Sequence, residues 1–253
     1  YQTSKGDLYI SLYGMLDKYN YKTDQFEHIP SIQEGVEKPN FVGNIQGLFE
    51  DSKGNIWIAS SSGLRLFNPV TKKYKSYSTV DGLPDNTIQG ILEDRSGSLW
   101  ISTNKGISRF INGVDHPDKP VFQNFTLFDG LPANDFKKNA AYKNDKGIMY
   151  FGSSQGYVFF NPDSILINDK VPDVVFTKFL LLETSPNANS KFREISKNIN
   201  SLDHLDLHYP NTDFTISFAS LNYLNPVKNQ YKYKLEGYDT EWIDAGGSSN
   251  ATY

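Results

Sequence analysis

The chain has 253 residues, a net charge of −4 and no cysteine, and aromatic residues make up 14% of it. This length accommodates one large or two smaller domains, and the aromatic content favours β-sheet. The acidic balance argues against nucleic acid as a partner, while the lack of cysteine excludes disulfides and thiolate metal sites.

A hairpin motif recurs four times along the first two-thirds of the chain. Its copies are Ser4 to Ile10, Glu50 to Ile58, Glu93 to Ile101 and Lys143 to Phe151. The aligned aromatic residues are Tyr9, Trp57, Trp100 and Tyr150, which lie 48, 43 and 50 residues apart. Intervals of this size are typical of β-propeller blades. The sequence therefore predicts about four blade repeats, of which the first lacks an inner strand.

The four aligned aromatic residues could be platforms on which a sugar stacks. Trp57 and Trp100, however, lie in strands that are apolar on both faces, as in Ile56-Trp57-Ile58. Such strands are buried on both sides, as they are between stacked blades. We interpret these aromatic residues as core.

A second recurring element is Asp81-Gly-Leu-Pro84, which returns as Asp129-Gly-Leu-Pro132. Proline has no N–H and does not sit inside a central strand, so these elements are predicted to be loops between blades. Ligand sites favour loops held by a rigid scaffold. Asn134, Asp135, Lys137 and Lys138 follow the second element and suit an acidic or hydroxyl-rich ligand. An ordinary solvated loop is the alternative.

Two groups of residues could suggest a metal. Asp51, Asp94 and Asp145 lack the spacing of a calcium loop, so they are predicted to cap their own turns. His204, Asp206 and His208 would share one face of a strand, but no fourth ligand can be named, and a solvated polar face explains them equally. The sequence predicts no metal site, no cofactor and no catalytic residue.

A different β pattern begins near residue 171, which divides the chain into residues 1–170, the C-terminal blades of a propeller, and 171–253. In the second part Val174 to Leu182 is a candidate strand, and Asn187 to Asn200 reads as a polar loop. Phe214 to Phe218 and Tyr231 to Leu235 alternate apolar and polar residues, which indicates half-buried strands. The fold class predicted is all-β: a partial propeller followed by a partial immunoglobulin-like β-sandwich.

The repeats resemble the two-component regulator propeller, and Phe218 to Trp242 is similar to the triple-tyrosine (Y_Y_Y) domain that follows it in hybrid two-component sensors. The resemblance implies the periplasmic part of an inner-membrane histidine kinase that senses glycan-derived oligosaccharides, as in Bacteroidetes, and acts as a homodimer. It implies no enzymatic activity in this part. No apolar run here is long enough to span a membrane, so contact with one would need a further segment.

Two other functions remain open. Propeller folds also carry polysaccharide lyases and glycosidases, because fold alone does not decide function. A protein-binding scaffold is the third possibility. The sequence offers no Ser, His and acid constellation that would favour an enzyme.

Overall fold

In a computed structural model of the protein, the structure describes residues 1–12, 14–33, 36–38, 43–165, 172–185, 188–194, 199–202, 204–207, 213–222 and 226–253. These residues form strands, turns and short 3-10 segments, with no α-helix among them. The chain divides into two compact units, Tyr1–Leu166 and Ile167–Tyr253. We call them the propeller region and the sandwich region. The predicted all-β fold class is confirmed.

Among the described residues, the propeller region contains a two-stranded hairpin and four larger antiparallel sheets. Each of the four is a meander of sequence neighbours, and we number them as blades in chain order. The first blade contains β1 (Tyr9–Leu12), β2 (Met15–Asn20) and β3 (Gln25–Ile29). A hairpin of β4 (Ser31–Gln33) and β5 (Val36–Lys38) follows it in the chain. The second blade contains β6 (Ile45–Glu50), β7 (Ile56–Ser60), β8 (Gly63–Asn68) and β9 (Lys73–Tyr77). The third contains β10 (Ile88–Glu93), β11 (Leu99–Thr103), β12 (Gly106–Phe110) and β13 (Phe122–Phe125), and the fourth β14 (Phe136–Lys143), β15 (Met149–Ser153) and β16 (Gly156–Phe160).

The second and third blades have four strands, and the first and fourth have three within the described residues. Tyr9 of β1 aligns with Trp57 of β7, so the first blade has the counterparts of the outer three strands, as predicted. The fourth blade has the inner three. Its strand β16 pairs with β15 alone among the described strands.

The predicted turn capping is observed in the second blade. One carboxylate oxygen of Asp51 accepts hydrogen bonds from the backbone N–H groups of Lys53 and Asn55, at 3.0 and 2.9 Å. Its other oxygen accepts from the indole N–H of Trp57 at 2.8 Å. In the fourth blade the capping residue is Asn144, whose side-chain oxygen accepts from the N–H groups of Lys146 and Ile148. The prediction for Asp145 was therefore wrong, because the repeat places Asn144 at the capping position and leaves Asp145 exposed.

Successive blades pack through three apolar clusters. The cluster between the second and third blades contains Trp57, Tyr77, Leu99, Ile101 and Phe110. Trp57 and Trp100 are 0% and 1% exposed, so both are core residues, as predicted. Tyr150, their counterpart in the fourth blade, is only partly buried.

Hydrogen bonds also link each blade to the next. The backbone N–H and hydroxyl of Ser4, in the first turn, donate to Glu50 at 2.6 and 3.0 Å. Ser52, in the second turn, makes the same two bonds to Glu93 at 2.8 and 2.6 Å. The Asp-Gly-Leu-Pro elements lie between β9 and β10 and between β13 and β14, which confirms them as loops between blades. Each begins in a 3-10 turn, Thr79–Asp81 and Leu127–Asp129.

The sandwich region has two antiparallel sheets. The larger contains, in spatial order, β18 (Ala188–Glu194), β17 (Val174–Ser185), β19 (Phe214–Ser220) and β22 (Asn250–Thr252), and the smaller contains β20 (Tyr231–Tyr233) and β21 (Ile243–Gly246). The two sheets meet through aromatic pairs, of which Phe218 and Tyr231 have ring centroids 5.1 Å apart. Short 3-10 turns occur in this region at Ile199–Ser201 and Pro226–Lys228. A further one, Pro162–Ser164, belongs to the propeller region.

The predicted polar loop from Asn187 to Asn200 was wrong over Ala188–Glu194, which forms β18. This strand pairs with β17 and has no second neighbour among the described strands. An edge strand is held by backbone hydrogen bonds on one side and tolerates a polar sequence. Alternation of apolar residues therefore does not reveal it.

Candidate functional site

The innermost strands of the second, third and fourth blades lie side by side, and each has a β-bulge near its start. In β6, Ile45 and Gly47 pair with the adjacent residues Ser60 and Ala59, so Gln46 is the extra residue. In β10, Ile88 and Gly90 pair with Thr103 and Ser102, so Gln89 is the extra residue. A bulge leaves backbone groups unpaired and redirects side chains. The two glutamines thus occupy equivalent positions.

The bulge in β14 is larger. Phe136 pairs with Ser153 and Ala141 with Phe151, so residues 137–140 lie opposite Gly152 alone. This strand has two more residues than its counterparts, and they account for two of the seven residues by which the interval from Trp100 to Tyr150 exceeds that from Trp57 to Trp100. The other five lie before the end of β13, where the connection from β12 is longer than that from β8 to β9. Within the bulge Asn139 has a φ of 56°. The left-handed region is uncommon for residues other than glycine, and asparagine tolerates it better than most.

A cavity of about 210 Å³ lies between these three strands, and we call it the inner-edge cavity. Its apolar wall includes Leu48, Phe49 and Ile91, and Gln89 and Asn139 are the lining residues that have polar side chains. None of the described residues lining it carries a charge. Ligand pockets typically combine an apolar lining with a few placed polar groups, and their volumes are usually about 300 Å³ or more. This cavity therefore suits one small ring.

Gln89 is held in one orientation at this cavity. Its side-chain N–H donates to the side-chain oxygen of Asn104 at 2.8 Å. Its own side-chain oxygen is buried and has no hydrogen-bond partner among the described residues. A buried acceptor without a donor costs about 1–3 kcal/mol, and because this oxygen is closed to solvent it does not face the open part of the cavity.

The inner strands that enclose the cavity approach one another closely at two glycines. A Cβ atom added to Gly47 would lie 2.7 Å from the side-chain oxygen of Asn139, so the carboxamide of Asn139 extends from the fourth blade towards β6. A Cβ on Gly90 would lie 2.8 Å from the Cβ of Ala141. Gly90 is therefore required for this approach of β10 and β14, whereas a side chain at Gly47 would displace the carboxamide of Asn139.

The structure gives Asn134 a role between blades. Its side-chain oxygen accepts from the N–H of Leu127 at 2.9 Å, and its carbonyl accepts from the N–H of Gly106 at 2.7 Å. Asn86 repeats both bonds with Thr79 and Gly63. A contact that recurs in both Asp-Gly-Leu-Pro loops indicates a structural role. Ligand binding by Asn134 stays a prediction, and its side-chain oxygen already has a donor.

Lys137 and Lys138 are part of the enlarged bulge, and Asp135 directly precedes β14. Asp135 accepts from the hydroxyl of Ser154 at 2.6 Å and from the ammonium of Lys137 at 3.0 Å. These two contacts hold the pKa of the Asp135 carboxyl below its usual range. Lys137 and Lys138 are exposed residues of β14. None of the three lines the inner-edge cavity, although they are near Asn139 in the sequence, and their binding of a ligand stays a prediction.

The candidate metal triad is only partly described. His204 and Asp206 are exposed and lie outside any strand, and His208 lies outside the described residues. Within the part of the chain that the structure covers, no group of three or more His, Cys, Asp or Glu residues could hold a metal ion.

Sequence reasoning missed Gln46, Gln89 and Asn139. Ile45-Gln46-Gly47 recurs as Ile88-Gln89-Gly90, and this repeat could have identified the two glutamines. For Asn139 the signal is the two-residue insertion before Asn144, which only an alignment of all copies reveals.

Two family models match the chain. The model described as "Two component regulator propeller" matches residues 41–62 and 82–105, and the model described as "Y_Y_Y domain" matches residues 222–253. The first pair of ranges falls in the second and third blades, and the last falls in the sandwich region. Both resemblances proposed from the sequence are confirmed.

Similar proteins come from related signalling systems. "Histidine kinase P4" of Formosa agariphila is 28% identical over 224 residues, which cover 88% of this chain and 13% of that protein. The extracellular domain of the hybrid two component system BT3049 from B. thetaiotaomicron is 26% identical with a TM-score of 0.79, and the match covers 100% of this chain and 33% of that domain. The corresponding domain of BT4673 from the same organism, 17% identical with a TM-score of 0.54, shares the fold, over 100% of this chain and 45% of its own.

The chain thus spans 13% of the curated relative's length and 33% of the BT3049 domain's length. Among the described residues, no helix has the length and apolar character needed to cross a membrane.

Proposed function

Because the chain carries two-component regulator propeller repeats followed by a Y_Y_Y domain, we propose that it is the extracellular ligand-sensing region of a hybrid two-component histidine kinase. Its similarity to the extracellular domain of BT3049 supports this proposal, since the match extends over the whole chain. The region itself would bind and not catalyse. The full-length protein would be anchored in the inner membrane, expose this region to the periplasm and carry the kinase on the other side.

The ligand in this proposal is an oligosaccharide derived from a glycan. The inner-edge cavity is the observation that supports it, because an apolar wall together with the carboxamide of Asn139 matches the two kinds of surface on a sugar ring. One face of such a ring presents C–H groups, and its edge presents hydroxyls. Lys138 and the ion pair of Lys137 with Asp135 would contact the sugar units that lie outside the cavity.

The sandwich region would transmit the signal. A ligand shifts a conformational equilibrium only if it binds one state more tightly than the other. We propose that the oligosaccharide favours one arrangement of the receptor homodimer and that the sandwich region carries this change towards the membrane.

Titration calorimetry on the full-length protein tests the binding function. The panel contains neutral oligosaccharides of mannan, xylan, arabinan and galactan, and acidic ones of polygalacturonate and alginate. We expect saturable binding of at least one oligosaccharide, with the sugar recovered unchanged. Release of shortened or unsaturated sugar would instead identify a glycosidase or a lyase. Absence of binding to every oligosaccharide of the panel would contradict the sensor proposal and favour a protein-binding scaffold.

A further inference from the structure

The outer edge of the fourth blade is open. β16 pairs with β15 alone among the described strands, whereas its counterparts β8 and β12 each pair with an outer strand as well. A Cβ atom added to Gly63 of β8 or Gly106 of β12 would lie 2.4 or 2.1 Å from a carbonyl oxygen of that outer strand. Gly156 of β16 has nothing within 4 Å, although its φ of 121° equals that of Gly63. The edge of β16 thus has the geometry that receives an outer strand.

The outer strands of the second and third blades place an aromatic residue at the same register position. Tyr74 of β9 pairs with Phe67, and Phe122 of β13 pairs with Phe110. The ring centroids are 4.7 Å apart in the first pair and 4.6 Å apart in the second. Phe160 occupies the same place, the fifth in its strand, and faces no outer strand among the described residues.

The ring of Phe122 shows how an outer strand joins the preceding blade. Its centroid lies 4.6 Å from that of Phe110 and 6.3 Å from that of Tyr77. The ring also lies 3.4 Å from the position of a Cβ added to Gly82, in the first Asp-Gly-Leu-Pro loop. The carbonyl of Gly82 accepts from the side-chain N–H of Asn124, two residues later in β13, at 2.9 Å. One aromatic ring and one amide therefore make the contact between blades.

The equivalent place between the third and fourth blades is an apolar cavity of about 150 Å³, which we call the edge notch. Its lining includes Phe160, Phe125 and Gly130, the repeat counterparts of the three residues around the Phe122 ring. Asp129 is the one charged residue among those described in the lining, and its carboxylate caps the 3-10 turn of its own loop. An apolar cavity of about this size accommodates a benzene ring. The edge notch therefore fits an aromatic side chain.

We propose that β16 and the edge notch bind an extended segment of the same receptor polypeptide from outside residues 1–253. This segment pairs antiparallel with β16 and inserts an aromatic side chain opposite Phe160. A side-chain N–H two residues later donates to the carbonyl of Gly130. Backbone hydrogen bonds supply affinity in such strand addition, and the pocket for a side chain supplies specificity. The inference goes beyond the proposed function and does not depend on its ligand.

The packing of β16 argues against a second copy as the source of this strand. The open edge of a second copy would present its own β16. The side chains of that strand on the notch side, Val158 and Phe160, are already packed in the cluster with Trp100 and Phe151. They are thus not available to fill a partner's notch. A segment of the same polypeptide also has a high effective concentration at the edge.

Hydrogen exchange on the full-length protein tests whether the edge is paired. Exchange reports local opening, so the amides of β16 should exchange within about tenfold of the rate in β12. Gly156→Ala should accelerate exchange in β15 and β16 about as much as the matched variant Gly106→Ala does in β11 and β12. The reason is that a carbonyl oxygen would then oppose both added Cβ atoms. Complete exchange of β16 while β12 is still protected would overturn the inference.

Photo-cross-linking of the same protein identifies the strand. Ile165, a partly buried residue that lines the edge notch, is replaced by p-benzoylphenylalanine. The control carries the same group in place of Val80, which is 94% exposed. We expect the probe at Ile165 to form a cross-link within one polypeptide, to a segment outside residues 1–253 that contains an aromatic residue. Alanine in place of that aromatic residue should then accelerate exchange at β16.

Three cross-linking results would contradict the inference while leaving ligand sensing unaffected. Cross-links between two copies would assign the strand to the homodimer. Cross-links confined to residues 1–253 would show that the notch is covered from within this chain. Lack of any cross-link beyond the Val80 control would show that nothing occupies the notch. If the Ile165 variant does not fold, wild-type exchange and the two glycine variants still decide whether β16 is paired.

Discussion

The indole N–H of Trp100 donates a hydrogen bond of 2.9 Å to the carboxylate of Asp94. The same carboxylate oxygen accepts from Arg109 at 3.3 Å, and the guanidinium of Arg109 lies 5.3 Å from the centroid of the Trp100 ring. The other oxygen of Asp94 accepts from the backbone N–H groups of Ser96 and Ser98, both at 2.9 Å. One buried carboxylate thus connects the turn, β11 and β12 of the third blade.

Replacement of Asp94 by alanine should therefore be costly. It leaves Arg109 without its carboxylate partner and removes the acceptor of the indole, and breaking a buried pair in this way costs about 3–5 kcal/mol. Urea denaturation of Asp94→Ala should show this loss in the free energy of unfolding. Asp145→Ala is the control, because Asp145 is exposed and should change stability by no more than about 0.5 kcal/mol. Similar losses for the two variants would contradict the role of Asp94.

Trp100 itself is 1% exposed between the third and fourth blades, where its ring stacks on Phe125. Trp100→Ala should lower the free energy of unfolding by about 3–5 kcal/mol, the usual effect of deleting a large buried aromatic side chain. Lys137→Ala, at an exposed position, should stay within about 0.5 kcal/mol of the wild type. Thermal melts of the two variants provide the comparison. A Trp100 variant as stable as the wild type would support an exposed stacking platform instead.

Two equivalent glycines should respond differently to alanine. Gly106 and Gly156 have φ values of 114° and 121°, so alanine is strained at both. A Cβ on Gly106 would also lie 2.1 Å from the carbonyl oxygen of Phe125, whereas nothing lies within 4 Å at Gly156. We expect Gly106→Ala to destabilise this chain by about 1–3 kcal/mol more than Gly156→Ala, because only Gly106 faces a fourth strand. Equal denaturation midpoints would indicate that β16 is also covered by a strand.

Acid should weaken two ion pairs of the propeller region. Lys53 and Lys75 lie 2.7 and 2.8 Å from Asp115 and Asp118, and each ammonium holds the pKa of its carboxyl below the usual 3.8. A lowered folded-state pKa gives a stabilisation that is complete above the unfolded value and disappears as pH falls through the folded value. The denaturant concentration at the unfolding midpoint should therefore decrease as the pH drops below about 4.

Lys75→Met provides the comparison for this acid effect. The difference in stability between the wild type and Lys75→Met should shrink as the pH falls below 3.8. Added salt should reduce it at neutral pH, because Asp118 is exposed and Lys75 is only partly buried. A difference that stays constant from pH 6 to pH 2.5 would show that Asp118 does not respond to Lys75.

Much of the propeller could be predicted from the repeats. The apolar strands around Trp57 and Trp100 and the loops at Pro84 and Pro132 follow from two-sided burial and from the missing N–H of proline. The edge strand β18 could not be predicted, since backbone pairing leaves no apolar pattern in its sequence.

The candidate site was less accessible to sequence reasoning. Loop position and polarity led to Asn134 and Asp135, but polarity does not distinguish a free side chain from one that another strand already engages. Asn139 becomes a candidate only when the bulge of β14 and the approach of its carboxamide to Gly47 are known together. Both features depend on the register between strands. A one-residue slip of that register would turn every side chain of the strand to the opposite face.

The meander connectivity of the blades has a consequence for how the chain acquires its structure. Strands that are neighbours in a blade are also neighbours in sequence, so the loops closed during folding are short and their entropic cost is small. The contacts that join blades, such as Ser52 with Glu93, span only 41 residues. During synthesis each blade can therefore form soon after it leaves the ribosome and serve as the surface on which the next one assembles.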